Sequence, residues 1–181
     1  MKPYRIAVIA GDGIGTEVVP EGLRVLEAVG SRFDISFSFD ELDWGCDRFQ
    51  QTGRFMPEDG IESIKGHDAI FLGAVGFPGV PDHISLWGLL IPLRRVMKQW
   101  VNLRPVRLMP GVTTPLRDRD PEDIDFVVVR ENSEGEYSNM GGRFDEGTED
   151  ERVEQLTIFT RKGVDRIIRY AFEMANSRPK K

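Results

Sequence analysis

Basic side chains are concentrated in one stretch of this 181-residue chain, although its formal net charge is −6. Between residues 94 and 119, seven basic residues accompany a single acid, Asp118, which gives the stretch a local charge of +6. A solvated helix face with charged loops is the usual explanation for such a run. Guanidinium groups that converge on an anion are the alternative, because they match carboxylate and phosphate oxygens in pairs. The seven are Arg94, Arg95, Lys98, Arg104, Arg107, Arg117 and Arg119.

Two arginines occupy positions where a guanidinium needs an anionic partner. Arg104 has apolar neighbours in the sequence VNLRP, and Pro105 restricts the backbone beside it. Arg130 ends the apolar run 127–129, at the C-terminal end of a predicted buried strand, where ligands bind in open α/β sheets. An unpaired charge withdrawn from water is costly, so we predict an anion site at Arg104 and Arg130, with Arg94 as a further candidate. Such a site suits a dicarboxylate or a phosphate.

Tyr137 is the candidate proton donor. It lies in the acidic segment 130–138 (RENSEGEYS), directly after the strand that ends at Arg130. Nearby arginines would favour the charged form of a phenol and so help it to transfer a proton. An exposed loop tyrosine without a role explains the spacing equally well. His67 and His83 lack carboxylates at metal-ligand spacing, and we predict neither as a metal ligand.

A glycine-rich turn, Gly11–Gly15 (GDGIG), follows the first apolar run and precedes a helical pattern. Its third glycine comes one residue too early for the dinucleotide fingerprint G-x-G-x-x-G. A tight turn that needs positive φ is the simpler interpretation, and a loop bordering a cofactor pocket is the functional one. A further hypothesis is a nucleotide-phosphate site on the backbone N–H groups of this turn, which predicts NAD binding that is independent of Arg104 and Arg130.

Strands and helices alternate along the chain, which predicts an α/β fold with a largely parallel sheet. The helix after the glycine turn is predicted to have Thr16 as its N-cap and to end at Gly30. Pro92 should kink the third helix or mark an irregular start. The predicted buried strands are 5–10, 69–72 and 125–129, with a half-buried strand at 33–39, an extended segment at 102–108 and a further strand at 156–160. The other predicted helices are 57–65, 86–100 and the amphipathic 161–175.

Composition excludes several classes of protein. The chain is 40% hydrophobic and 30% charged, with 11 Phe and 3 Trp, which is typical of a globular protein and not of a disordered one. A mildly acidic chain predicts no nucleic-acid partner. No apolar run approaches the about 18 residues of a membrane span, so no membrane partner is predicted either. Cys46 is the only cysteine, so an internal disulfide is excluded and we expect a cytoplasmic protein.

Four motifs together resemble the β-decarboxylating dehydrogenases, the family of isopropylmalate, isocitrate, homoisocitrate and tartrate/D-malate dehydrogenases. They occur in the family's order over nearly the whole chain, and DHISLWG (82–88) together with RENSEGEYS most resembles the tartrate/D-malate branch. The motifs are IAGDGIGTEV (9–18), FLGAVG (71–76), LRR with NLRP (93–95 and 102–105) and VVVRENSEGEYS (127–138). The resemblance implies an isopropylmalate-dehydrogenase-like fold. It also implies oxidation of a 2-hydroxy dicarboxylate by NAD, aided by Mg²⁺ or Mn²⁺, and release of carbon dioxide from the β-keto acid.

The resemblance also implies roles for individual residues at the substrate. Arg94, Arg104 and Arg130 would bind the carboxylates of the dicarboxylate. Tyr137 would protonate the enol that remains after decarboxylation.

A second set of implied residues concerns the cofactor and substrate selectivity. Ile14, Ala74 and Gly76 would border the nicotinamide half of NAD. Leu89 and Leu90 lie where substrate selectivity is set, and their apolar character leaves tartrate, D-malate and isopropylmalate as possible substrates.

The family's catalytic lysine, its metal-binding aspartates and its adenine-binding loop lie beyond residue 181. We therefore expect residues 1–181 to be the N-terminal half of an enzyme that is a homodimer at full length. Residues 1–108 would form part of a first, cofactor-side domain, and 109–181 the start of a second domain for substrate binding and dimerisation. This piece alone is expected to be inactive. The rival hypothesis is a shortened, non-catalytic homologue that binds a small anion or pairs with a full-length subunit.

Overall fold

The computed structural model describes residues 3–179, and the chain forms two compact units, Met1–Met97 and Lys98–Lys181. Strands and helices are present in both, which confirms the α/β prediction. The predicted domains, 1–108 and 109–181, refer to the complete protein and stay a prediction. Among residues 3–179, no helix has the length and apolar character needed to cross a membrane.

Three parallel strands form the sheet of the first unit, in the order β2-β1-β3. The central strand is buried on both faces, because Ala7 and Ile9 belong to one hydrophobic core while Ile6 and Val8 belong to another. This two-sided burial explains why its sequence is a continuous apolar run without alternation. The strands are β1 (Tyr4–Gly11), β2 (Phe37–Leu42) and β3 (Ala69–Ala74).

Helices cover both faces of this sheet. Val19, on the first helix, packs against the face that carries Ile6 and Val8. Trp44, Phe55, Leu89 and Leu93 contribute to the core on the opposite face. The helices are α1 (Gly15–Phe33), α2 (Cys46–Thr52), α3 (Gly60–Ile64), α4 (Asp82–Ser85) and α5 (Ile91–Val96). Helix α3 lies within the predicted helical range 57–65, whereas α2 is not predicted from the sequence.

The start of α1 differs from the prediction. Ile14 occupies the N-cap position, so Thr16 lies inside the first turn and is not the cap. The Thr16 hydroxyl instead donates to the carbonyl oxygen of Gly13 at 2.8 Å. A hydroxyl inside the first turn can satisfy a local carbonyl in this way without capping the helix.

The end of α1 also differs, since Gly30 lies inside the helix. The helix continues to Phe33, and Asp34 adopts the left-handed conformation with φ of 55°. Strand β2 therefore begins at Phe37, four positions after the predicted start at 33. A Cβ at Gly30 would lie 2.6 Å from the carbonyl oxygen of Ile35, so close packing, and not a turn, requires glycine here.

The predicted helix 86–100 is shorter and irregular. A π-helical turn at Leu86–Leu90 precedes α5, and the helix ends at Val96, before Trp100. Pro92 lies in the first turn of α5, where its missing N–H is tolerated, which confirms the predicted irregular start. A Cβ at Gly88 would lie 2.1 Å from the Phe55 ring, so this glycine allows the π-helical turn to pack against that ring.

The second unit contains two antiparallel strand pairs and one long helix. Parallel pairing is therefore confined to β1, β2 and β3. The strands are β4 (Val101–Arg107), β5 (Asp125–Glu131), β6 (Gly135–Phe144) and β7 (Arg152–Ile158), and the helix is α6 (Arg161–Ser177). Strand β6 is not predicted from the sequence. The Thr160 hydroxyl caps α6 by accepting the N–H of Gly163 at 3.0 Å.

Strand β5 is not buried on both faces, as its apolar sequence predicted. Val127 and Val129 are half-buried, but Val128 is 43% exposed. Ala171 and Met174 of α6 lie with Val127 and Val129 around a common cavity, so α6 covers one face of the β4–β5 pair. We call this the covered face and the opposite one the open face.

Candidate functional site

Arg104 and Arg130 lie together on the open face. In the antiparallel register, Asn102 is directly opposite Arg130, and Arg104 is directly opposite Val128. Residues two apart on a strand share a face, so Asn102, Arg104, Val128 and Arg130 all project on the same side. Arg104 and Arg130 are diagonal neighbours, a separation that long side chains can span. The structure thus brings the two predicted anion-binding residues onto one surface.

Tyr137 adjoins the same cluster. It lies on β6, not in a loop, and its side chain is half-buried. The Arg130 guanidinium carbon is 5.1 Å from the centre of the Tyr137 ring, the geometry of a cation–π contact. The predicted proton donor and one predicted carboxylate-binding arginine are therefore in direct contact.

The arginines of the predicted site differ from most others in their partners. Within residues 3–179, none of the ion pairs includes Arg94, Arg104 or Arg130. Their charge is consequently available to an external anion. Arginines that do pair with a carboxylate are Arg5, Arg24, Arg48, Arg54, Arg143, Arg152, Arg161, Arg166 and Arg178.

The covered face carries an ion pair between Arg166 and Glu131. Arg166 of α6 donates to Glu131 at 2.9 Å and to the Ser133 hydroxyl at 2.5 Å, and only 11% of the Glu131 side chain is exposed. Burial alone would raise the pKa of Glu131. Hydrogen bonds from the Ser133 hydroxyl, the backbone N–H groups of Glu134 and Ser133, and Arg166 outweigh burial and lower that pKa.

Asn132 connects the two strands at the end of the site. Its backbone N–H donates to the Trp100 carbonyl at 2.9 Å, and its side-chain amide donates to the Gln99 carbonyl at 3.0 Å. These bonds fix the start of β4 beside the end of β5. Three contributors to this site are not predicted from the sequence: Asn132, Glu131 and Arg166. Arg166 is 35 residues from Glu131 along the chain, so no local pattern indicates their contact.

In the first unit, Asp12 determines the shape of the glycine turn. Its buried carboxylate accepts the N–H of Cys46 at 2.7 Å and the N–H of Gly76 at 2.9 Å. Its own N–H donates to the Ala74 carbonyl at 2.6 Å. The turn after β1 is thereby bound to the turn after β3. Burial, with the Asp12 carboxylate nearby, raises the pKa of the Cys46 thiol to about 12, so this cysteine is not a nucleophile.

The residues implied at the nicotinamide half of NAD lie along these two connected turns. Ile14 is 59% exposed at the start of α1, and Ala74 is half-buried. Neither Gly13 nor Gly76 has an atom within 4 Å of the position that a Cβ would take, so the surface above both is open. An exposed apolar side chain beside open glycine backbone fits one face of a flat aromatic ring.

The start of α1 does not provide a free phosphate cradle. The N–H groups of Gly15, Thr16 and Glu17 each donate to a carbonyl oxygen three residues earlier, at 2.9–3.1 Å. Backbone donors that are already engaged in the turn are not available to a phosphate group. These three N–H groups therefore do not support a nucleotide-phosphate site at this turn, and the hypothesis otherwise stays a prediction.

Comparison with known proteins identifies the family. The profile of the isocitrate/isopropylmalate dehydrogenase family matches residues 5–181. The chain belongs to this family. D-malate dehydrogenase (decarboxylating) of Escherichia coli strain K12 is 58% identical over 183 residues, which cover 100% of this chain and 51% of that protein. Tartrate dehydrogenase/decarboxylase of Pseudomonas putida is 56% identical over 98% of this chain and 49% of that protein.

Solved structures agree with this membership. The isocitrate dehydrogenase of Methylococcus capsulatus superposes with a TM-score of 0.77 at 30% identity, over 96% of this chain and 48% of that one. A β-decarboxylating dehydrogenase of Thermococcus kodakarensis superposes with a TM-score of 0.64 at 34% identity, over 96% of this chain and 46% of that one. The chain spans about half the length of the relatives that it matches.

In this isocitrate/isopropylmalate dehydrogenase homologue, the predicted substrate residue Arg94 and the predicted selectivity residues Leu89 and Leu90 differ in their burial. Arg94 is half-buried near the end of α5, where no described carboxylate pairs with it. Leu89 is fully buried in the core of the first unit, so it cannot contact a substrate directly. Leu90 is half-buried and is the member of the pair with an exposed surface.

A divalent metal ion, which this dehydrogenase family implies, is not matched by the described residues. Within 3–179, no group of three or more His, Cys, Asp or Glu side chains is arranged to hold a metal ion. The donor set needed for Mg²⁺ or Mn²⁺ is thus not formed by this part of the chain.

Proposed function

We propose that the complete protein containing these residues is an NAD-dependent oxidative decarboxylase of a 2-hydroxy dicarboxylate, of the tartrate or D-malate type. The observation that carries the proposal is the open face of the β4–β5 pair. Two arginines without a carboxylate partner project there, and one of them contacts Tyr137. Relatives named as D-malate and tartrate dehydrogenases support the choice of substrate class.

Arg104 and Arg130 bind substrate carboxylates in this proposal, and Arg94 is a further candidate for the same role. A guanidinium supplies paired N–H donors and keeps its charge at any physiological pH. Because no described carboxylate neutralises these side chains, their donors are available for the dicarboxylate. The same charge stabilises the carboxylate that remains on the substrate while carbon dioxide leaves.

Tyr137 donates the proton that completes the reaction. Its phenolic group lies next to Arg130, so a substrate held by Arg130 is within reach of the Tyr137 side chain. Loss of the second carboxylate as carbon dioxide leaves the electron pair of the broken C–C bond in the enol as its enolate, and one proton delivered to the enolate carbon gives the keto product.

Ile14, Ala74 and Gly76 would hold the nicotinamide half of NAD. When bound, NAD would supply the acceptor for the hydride that the substrate alcohol loses. Asp12 contributes indirectly, because its carboxylate holds the backbone of Gly76 in place.

Mg²⁺ or Mn²⁺ and the catalytic lysine belong to parts of the complete protein outside these residues. The described residues supply no metal site. A polypeptide limited to residues 1–181 is accordingly expected to lack turnover.

We also propose that the complete protein is a cytoplasmic homodimer. Exposed apolar side chains on β6 and β7 support an interface there; they are Met140, Phe144, Val153, Leu156 and Ile158.

The test is an assay of the complete protein with NAD and Mn²⁺, using D-malate, tartrate and isopropylmalate as separate substrates. We expect D-malate or tartrate to yield NADH and carbon dioxide in equal amounts. Absence of turnover with all three substrates would contradict the proposal. Dicarboxylate binding without turnover would favour the rival hypothesis of a non-catalytic anion-binding homologue.

A further inference from the structure

Asn102 lies between the two arginines of the open face. Its side-chain oxygen accepts the Nε–H of Arg104 at 3.1 Å, and its Cα is the direct cross-strand partner of Arg130. Asn102 is half-buried, whereas Arg104 is exposed. An exposed arginine on a strand would otherwise sample many rotamers, which costs free energy whenever a ligand orders it.

The hydrogen bond to Asn102 uses one specific donor of Arg104. A guanidinium can bind a carboxylate side-on, through Nε and one Nη, or end-on, through both Nη groups. Asn102 occupies the Nε–H, so the end-on edge is the one that remains. We propose that Asn102 is a positioning residue that restricts Arg104 to end-on binding of a substrate carboxylate. This inference rests on the proposed function.

The amide at position 102 orients Arg104 without neutralising it. Other arginines of the described chain are held by carboxylates, as Arg166 is by Glu131 at 2.9 Å. Such a partner fixes the side chain but also cancels its charge and competes with an anionic ligand. A neutral amide accepts one N–H and leaves the positive charge for the substrate. The sequence N-L-R places acceptor and arginine two residues apart, on the same face of β4.

Nuclear magnetic resonance of the arginine side chains tests the geometry in the complete protein. The Arg104 Nε–H signal can be assigned by its loss in Arg104→Met. We expect this proton to exchange slowly with water and to shift little when D-malate is added, while the Nη protons shift. In Asn102→Ala, the Nε–H should exchange at the rate of an exposed arginine. A large Nε–H shift on D-malate binding, or an unchanged exchange rate in Asn102→Ala, would overturn the proposal.

Steady-state kinetics test the consequence for binding. Asn102→Ala should raise KM for D-malate about 2–10-fold, the size of one ordinary hydrogen bond, with kcat within about twofold. Asn102→Asp should raise KM more, by about 10–100-fold, because its carboxylate neutralises Arg104. Arg107→Ala is the matched control. Arg107 lies on the same strand at a position that faces the opposite side from Arg104. The KM of the Arg107→Ala variant for D-malate should therefore be unchanged.

The outcomes separate this inference from the proposed function. If Arg104→Met leaves KM and kcat for D-malate unchanged, the proposed function of Arg104 fails. If Arg104→Met impairs binding but Asn102→Ala and Asn102→Asp behave like the wild type, only the positioning role fails. A parallel loss of kcat, NAD affinity and thermal stability in Asn102→Ala would show a structural role, and would also overturn the proposal.

Discussion

The two faces of the β4–β5 pair differ in the partners that they give to arginine side chains. On the covered face, Arg166 donates to the carboxylate of Glu131 and the hydroxyl of Ser133, so its charge is neutralised within the protein. On the open face, Arg130 lies over the Tyr137 ring and has no described carboxylate partner. Cation–π contact is weaker than a charge-assisted hydrogen bond to a carboxylate. From this difference we propose that the covered face contributes to stability and the open face to ligand binding.

Removal of the Tyr137 hydroxyl should give the largest effect. In Tyr137→Phe the ring that contacts Arg130 is kept, but the proton donor is lost, so kcat should fall about 10²–10⁴-fold while KM for the dicarboxylate changes little. Steady-state kinetics of the complete protein measure both constants. Tyr170→Phe, on the helix of the covered face, is the matched control, because its ring contact with Trp100 is retained. Equal kcat values for the two variants would remove Tyr137 from the chemistry.

Substitution of the open-face arginine should affect binding and not folding. Arg130→Met keeps much of the side-chain volume and loses the charged donors. The loss of a charge-assisted contact of about 1.5–3 kcal/mol predicts that kcat/KM for the dicarboxylate falls about 10–150-fold. Urea unfolding should give an unchanged free energy. A variant with normal kcat/KM and reduced stability would show that Arg130 contributes to stability and not to binding, as we expect for Arg166.

The corresponding change on the covered face should have the opposite outcome. Arg166→Met leaves the nearly buried Glu131 carboxylate without its cation, so the free energy of unfolding should fall by about 1–3 kcal/mol. KM for the dicarboxylate should remain at the wild-type value under conditions where the protein is folded. An unchanged unfolding transition would show that the covered-face ion pair does not stabilise the second unit.

The smallest effect is a change in acid stability. Because the folded pKa of Glu131 lies below its ordinary value of 4.5, the unfolded chain binds the proton more readily. The carboxylate therefore contributes its full stability above pH 4.5 and loses it as the pH falls through the lowered folded pKa. Glu131→Gln should flatten the dependence of unfolding free energy on pH below about pH 4.5. Identical slopes for Glu131→Gln and wild type would contradict this origin.

The sequence predicted those features that depend on local pattern. Strand β1 has the apolar run that burial on both faces requires, and the α6 amphipathic pattern matches a helix found at Arg161–Ser177. The candidate arginines were identifiable from their apolar and proline neighbours. Their juxtaposition followed only from the antiparallel register of β4 and β5, which pairs Asn102 with Arg130 across many intervening residues.

Tertiary contacts decided several of the incorrect predictions. Gly30 resembles a helix end, but close approach to Ile35 explains its presence inside α1. The apolar run of β5 resembles a strand buried on both sides, yet α6 covers only the face with Val127 and Val129. Asn132 and Arg166 carry no local signal, because their partners are distant in sequence.

Direct measurement of D-malate binding to the complete protein tests the central claim that the open face is the dicarboxylate site. Isothermal titration calorimetry should compare wild type, the open-face double variant Arg104→Met/Arg130→Met and the covered-face variant Arg166→Met. We predict that the open-face variant binds D-malate at least about 100-fold more weakly than wild type. Its unfolding free energy should be unchanged, and Arg166→Met should bind like wild type. Wild-type affinity in the open-face variant would contradict the account.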